Sequence, residues 1–154
     1  MTGSASQGQV LGIARRNVKR GPMQLLEQAG ISIAAGVDGD TRGKPGRRQV
    51  TVLSASAWVE ACDLANTDQP WLARRANVLV DGLDLRFCEG AVLHLGDDIE
   101  LLVTGELEPC ERMDEASPGL RLALADGWRG GVTCSVKRGG TLAVGATARL
   151  RLPG

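Results

Sequence analysis

Apolar and polar residues alternate with a period of two along much of the chain, the pattern of strands that bury one face. Val132, Cys134 and Val136 alternate with Thr133, Ser135 and Lys137, and Ile99, Leu101 and Val103 alternate with Glu100, Leu102 and Thr104. Near the end, Ala148, Leu150 and Leu152 alternate with Thr147, Arg149 and Arg151. Gln9–Ile13, the segment holding Ile31 and Ile33, Gln49–Leu53 and Ala91–Leu95 read as further strands. Val78–Val80 and Leu83–Leu85 flank Asp81-Gly82, and Asp-Gly between such runs predicts a hairpin. The helical period is confined to two places. Trp58, Ala61, Cys62 and Ala65 share a face behind Ser54 or Ser56 as cap, in a helix that stops near Asn66. Ser117 as N-cap and Pro118 as first residue predict a second helix, of roughly two turns, through Leu120 and Leu124 to Gly127. Seven or eight short strands, glycine turns and two helices predict a mostly β fold with peripheral short helices: a closed or nearly closed β-barrel. Residues 1–8 are expected to form a disordered tail and 9–154 a single domain.

A chain of 154 residues can bury ~70% of its unfolded surface without staples. Lys plus Arg and Asp plus Glu each total 18, so no bulk field draws nucleic acid or anionic lipid. Trp58, Trp71, Phe87 and Trp128 are the only aromatics, too few for a platform on which bases stack. Of the 18 cations, 15 are arginine, the side chain suited to bidentate carboxylate or phosphate contacts; a genome favouring arginine codons gives the same count. The first charge is Arg15, the wrong order for a secretory signal, and no run approaches the ~20 apolar residues of a membrane span, so a cytoplasmic location is expected. Cys62, Cys88, Cys110 and Cys134 are spaced without a C-x-x-C pair, which supports neither zinc nor, in a reducing compartment, disulfides. Cys62 and Cys134 fit apolar faces as packing residues.

Candidate chemistry concentrates between Gly105 and Gly131. Glu108 and Pro109 stiffen the exit of a strand and present Cys110 there. Arg129 carries a fork suited to phosphate, and Gly130 and Gly131 let backbone N–H groups approach an anion, so an anion seat is expected to face Cys110 across the second helix. Glu106, Glu108, Glu111, Asp114 and Glu115 crowd Cys110 in sequence and oppose its thiolate, which makes nearby arginines a requirement for reactivity. Arg74, Arg75 and Asn77 lie at a strand mouth, where side chains can converge on a ligand or simply be surface. The glycine-rich loop from Gly36 to Gly46 carries Asp38, Asp40, Arg42 and Lys44 and leads into Arg47 and Arg48; residue types alone favour a solvated connection, with the Asp-x-Asp pair a weak metal signal. Arg15, Arg16, Lys19 and Arg20 read first as a solvated basic face, with a ligand role as the lesser alternative. His94, the single histidine, sits within a strand and reads as structural.

Taken in order, Gly36-Val-Asp-Gly-Asp40, Arg48–Leu53 entering a helix with Trp58, Pro70-Trp71, Arg74–Asn77, Asp81-Gly82, Gly96-Asp97, Glu108-Pro-Cys-Glu-Arg-Met113, Pro118-Gly-Leu120, Trp128–Gly131 and Gly139-Gly140 resemble the MOSC domain, the C-terminal module of molybdenum-cofactor sulfurases, in its small standalone bacterial form. The resemblance implies a β-barrel with peripheral helices, and a cysteine, here Cys110, that carries sulfane sulfur or ligates the molybdenum of a pterin cofactor (molybdopterin). Related amidoxime-reducing proteins bind molybdenum through such a thiolate and reduce N-hydroxylated compounds; a non-catalytic binding barrel is the other possibility. Arg47, Arg48, Arg74, Arg75, Asn77, Asp114, Arg129, Gly130 and Gly131 are then the candidates for holding the cofactor. The sequence departs from many relatives in having Thr41-Arg42 after Asp40, where a histidine or lysine is common. No pyridoxal phosphate lysine motif is present, so sulfur relay implies a separate cysteine desulfurase and reduction implies an electron-donor protein.

Overall fold

The computed structural model describes residues 5–154. Eleven strands and three helices run in the order β1 (Ala5–Arg15), β2 (Gln24–Leu26), β3 (Gln28–Ser32), β4 (Gly36–Val37), β5 (Val50–Ser54), α1 (Ala55–Leu64), β6 (Val78–Asp81), β7 (Val92–Leu95), β8 (Ile99–Glu106), α2 (Glu111–Ala116), α3 (Leu120–Ala125), β9 (Val132–Arg138), β10 (Gly140–Ala143) and β11 (Thr147–Arg151), with 3-10 turns at Trp71–Arg74 and Asp126–Trp128. Seven strands close a barrel in the order β11-β7-β8-β9-β5-β6-β1, and β1 pairs back onto β11. β2 extends the sheet beyond β1, and β10, β3 and β4 make a small second sheet. No helix among the described residues is long and apolar enough to cross a membrane.

Period-two alternation places one set of side chains inside the barrel, where Val10, Val52, Val78, Val80, Leu93, Leu95, Ile99, Leu101, Val132, Cys134 and Leu150 form one core. β5 and β6 pair in parallel, which requires a crossover, and α1 supplies it. Two faces of these strands are therefore buried: Leu53 and Leu79 turn outward onto Trp58, Ala61, Met113, Leu120 and Leu124 of the helical layer. Ser54 caps α1, accepting the N–H of Ala57 at 3.3 Å.

Several expectations from the sequence are corrected here. Residues 1–4 of the expected tail lie outside the described residues, but Ala5–Gly8 are strand, held by backbone pairing of Ala5 to Arg151 through Gly8 to Ala148. Asp81-Gly82 is not a hairpin: β6 already bonds to β5 on one edge and to β1 on the other, so no edge is left for a returning strand. Asp81 instead accepts the Gln9 N–H at 3.0 Å through Oδ1, and a side chain at Gly8 would strike the Asp81 carbonyl oxygen. Ser117 does not cap the next helix; its hydroxyl bonds Thr67 and Gln69 at 2.6 and 3.0 Å. Capping falls to Asp114, whose Oδ1 accepts the N–H groups of Gly119 and Arg121, both at 3.1 Å, ahead of α3. α2, β2, β4 and β10 were not foreseen, being too short or too polar to show a period.

Candidate functional site

Pro109 is buried where the chain leaves β8, and Cys110 follows it in extended conformation, φ −117° and ψ −178°, immediately before α2. Cys62, Cys88 and Cys134 are buried, whereas Cys110 is exposed. It lies on the wall of a cavity of about 340 Å³, within the ~300–1,000 Å³ range of small-molecule pockets. Six arginines line that cavity, Arg16, Arg42, Arg48, Arg74, Arg75 and Arg112, against two carboxylates, Asp40 and Glu108. They arrive from five separate segments: the exit of β1, the glycine-rich loop, the entrance of β5, the turn before β6, and α2. The barrel topology thus gathers cations that are remote in sequence around one sulfur.

Arg74 anchors the arrangement. It is 6% exposed, and its Nε donates to the Gly130 carbonyl at 2.8 Å and its Nη2 to that of Leu107 at 2.6 Å, tying the end of β8 to the start of β9 beside the cysteine loop. Its Nη1 has no protein partner among the described residues and is not sealed from solvent. Burial lowers its pKa to about 10, with Cys110 acting in the opposite sense and Arg48 reinforcing the drop; the group remains charged at neutral pH. Arg75 is lowered first by burial and then by the like charges of Arg16, Arg112 and Arg42, the electrostatic mark of guanidinium groups converging. It holds a left-handed backbone, φ 67°, and donates from Nη2 to the Gly21 carbonyl at 2.8 Å.

Arg16 is 8% exposed, and its guanidinium has neither a hydrogen bond nor an ion pair among the described residues. Its backbone is fixed instead: Asp40 Oδ1 accepts the Arg16 N–H at 2.9 Å, and the Thr41 N–H donates to the Arg16 carbonyl at 2.8 Å. Asp40 Oδ2 accepts the Arg42 N–H at 3.2 Å. Among the acids next to Cys110 in sequence, Glu108 alone reaches the cavity wall. Glu106 is raised above the usual carboxylate range by burial and then by Glu108, with Arg74 offsetting part of the rise.

The family model of the MOSC domain matches residues 38–149. The chain belongs to that family. No curated protein matches it in sequence. Among solved structures, this MOSC chain is similar in fold to the YUAD protein from Bacillus subtilis, with a TM-score of 0.81 at 19% identity over 97% of this chain and 98% of that one. It also resembles YiiM from Geobacillus stearothermophilus, with a TM-score of 0.64 at 15% identity over 96% of this chain and 73% of the other. YiiM from Escherichia coli superposes with a TM-score of 0.65 at 13% identity, over 95% and 70% of the two chains.

The MOSC barrel brings together only part of the set expected from sequence. Cys110, Arg48, Arg74, Arg75 and Asn77 share the cavity. Asn77 is 5% exposed and is used to join strands: its Oδ1 accepts the Thr51 N–H at 3.0 Å and its Nδ2 donates to the Ala14 carbonyl at 3.1 Å. Arg47 turns away, donating to the Thr104 carbonyl at 2.8 Å in a shallow groove with Glu89 and Glu106. Arg129 does not face Cys110. Glu60 of α1 takes its Nε and Nη2 at 3.0 and 2.8 Å, and Arg129 lines a separate cleft of about 570 Å³ with Trp128 and Gly131. The Gly130 N–H donates to the Leu124 carbonyl at 3.0 Å and the Gly131 N–H to the Trp128 carbonyl at 3.2 Å, so this turn presents no anion seat to the thiol. Asp114 is the cap of α3 described above. His94 stands on β7 between Glu100 and Arg149, away from the cavity.

From residue types, Arg16, Asp40 and Arg42 read first as solvated, and nothing local singles out Arg112. The rule that singled out Arg74 and Arg75, a position at a strand mouth, applies equally to Arg16 at the end of β1. Among the described residues no group of three or more His, Cys, Asp or Glu side chains gathers as a metal site.

Proposed function

We propose that this MOSC-type protein binds the molybdenum cofactor in the arginine-lined cavity, with the Cys110 thiolate as the protein ligand to the metal. The observation that carries this reading is one exposed thiol on the wall of a cavity with six guanidinium groups. The residues fit the group in charge and in donor type: arginines suit a phosphorylated pterin, and a soft thiolate suits a sulfur- and oxo-ligated metal. Arg48 and Arg74 place positive charge on the same cavity wall as the sulfur. The cofactor, when bound, supplies two-electron redox chemistry at molybdenum, and reductive turnover on an N-hydroxylated compound then needs electrons from a separate donor protein. Among the described residues no lysine lines the cavity, and the chain's own arginines and thiol serve to bind and orient the ligand.

The exposure of Cys110 favours one second reading, sulfur relay. Its thiolate attacks the outer sulfur of a persulfide on a cysteine desulfurase; that S–S bond breaks, a new one forms on Cys110, and the desulfurase thiolate leaves. The test is expression in a host that makes the cofactor, with molybdenum and pterin measured on wild type and Cys110→Ser. Near-stoichiometric metal in the wild type and its loss in the variant support the ligand role; equal metal in both overturns it. A mass gain of one sulfur on Cys110 after incubation with a desulfurase and cysteine, without molybdenum uptake, selects the relay.

A further inference from the structure

We propose that Asp40 is a positioning residue that shapes Arg16, Arg42 and Arg75 into a seat for a phosphate-monoester dianion within the Cys110 cavity. The inference rests on reading that cavity as a ligand site. Its starting point is Arg16, more than nine-tenths buried with a guanidinium that no protein group satisfies, on the wall of an open cavity. The Arg16 guanidinium nitrogens are not sealed away but open to the cavity, where their donors are available to an anion that enters.

A carboxylate on the same wall would ordinarily be expected to supply the counter-charge. Asp40 does something else. Both its oxygens are engaged by backbone N–H groups, Oδ1 by Arg16 and Oδ2 by Arg42, so it locks the exit of β1 to the glycine-rich loop while leaving both guanidinium groups free. The Thr41 N–H to Arg16 carbonyl bond completes the joint. Arg75 is fixed independently, by its left-handed backbone and its bond to Gly21, and retains Nε and Nη1 for a ligand. Three planar forks offer more donors and charge than the two oxygens and single charge of a carboxylate can use; a phosphate monoester supplies three terminal oxygens and up to two charges. The Asp40-Thr41-Arg42 sequence is thus the device that brings Arg42 to the seat.

The test is calorimetric titration with inorganic phosphate at constant ionic strength, with acetate for comparison, on wild type, Asp40→Ala, Asp40→Asn, Arg16→Ala and Arg42→Ala. If Asp40 acted only as a repelling charge, its removal would tighten phosphate. Positioning predicts the reverse: Asp40→Ala weakens phosphate by about tenfold or more, and Asp40→Asn, which keeps one acceptor for Arg16, falls between it and wild type. Arg16→Ala loses about tenfold or more, and acetate binds wild type at least about tenfold more weakly than phosphate. Tighter phosphate in either Asp40 variant, or unchanged affinity in Arg16→Ala, overturns the proposal. Should Asp40→Ala fail to fold, Asp40→Asn and the two arginine variants decide the matter on the same criteria. Phosphate binding without molybdenum uptake would sink the cofactor reading alone, and molybdenum uptake without phosphate binding would sink this one alone.

Discussion

Replacing Arg74 by alanine should be the most damaging single change near the site. The side chain is 6% exposed and donates to the carbonyls of Leu107 and Gly130 at 2.6 and 2.8 Å. Each charge-assisted bond contributes ~1.5–3 kcal/mol, and truncation leaves both acceptors buried and unpaired. Desolvation of the guanidinium, which lowers its pKa to about 10, offsets part of that gain. The net expectation is a loss of ~3 kcal/mol, equivalent to a fall of ~6–12 °C in melting temperature for a domain of this size. Arg74→Lys, with a compact head in place of a fork, can satisfy one carbonyl and should recover about half. The assay is urea denaturation of wild type and both variants, comparing midpoints at constant m-value. A loss below ~1 kcal/mol in Arg74→Ala would show that the junction between the end of β8 and the start of β9 does not depend on this residue and would refute the reasoning.

Other outcomes follow from the same structure. Iodoacetamide at pH ~8 should label one cysteine in the native protein, Cys110, because Cys62 is buried and burial pushes the Cys88 thiol up to about 11 and that of Cys134 further still; peptide mass mapping checks it, and equal labelling of a second site contradicts it. Asp114→Ala should cost ~1 kcal/mol by removing the oxygen that caps α3, measured by the denaturation midpoint. His94 is held below the ordinary imidazole range, first by burial and partly by Arg149 and Arg151, so the unfolded chain binds its proton more readily. Stability from this group is complete above ~pH 6.5 and declines as pH falls through that value; His94→Gln should flatten the slope, by well under ~1 kcal/mol because the ring is only partly shielded.

What was legible in the sequence was local. Alternation of Ile99, Leu101 and Val103 and of Val132, Cys134 and Val136 reports which face of a strand is buried, and a barrel uses that rule on every staves' inner side. The cap Ser54 and the apolar face of α1 are likewise settled within a dozen residues. Cys110 could be found because Pro109 and the alternation of β8 fix how it is presented. The rest depends on partners far along the chain. Arg129 was expected beside Cys110, but its charge is taken by Glu60, 69 residues earlier, which no pattern around Trp128 reveals. Asp81-Gly82 between two apolar runs reads as a turn; that both edges of β6 are claimed, by β5 and β1, shows only in the fold. Arg16 reads as part of a solvated face, since four cations in six residues usually are; only closure of the barrel buries that one while leaving Lys19 and Arg20 exposed.

The central claim is that one sulfur, set among converging arginines, is a ligand to molybdenum. X-ray absorption at the molybdenum edge, on protein loaded during expression, tests it most directly. The account predicts one more sulfur scatterer in the wild type than in any residual metal bound by Cys110→Ser, with oxygen in its place. The same sulfur count in both proteins would contradict it.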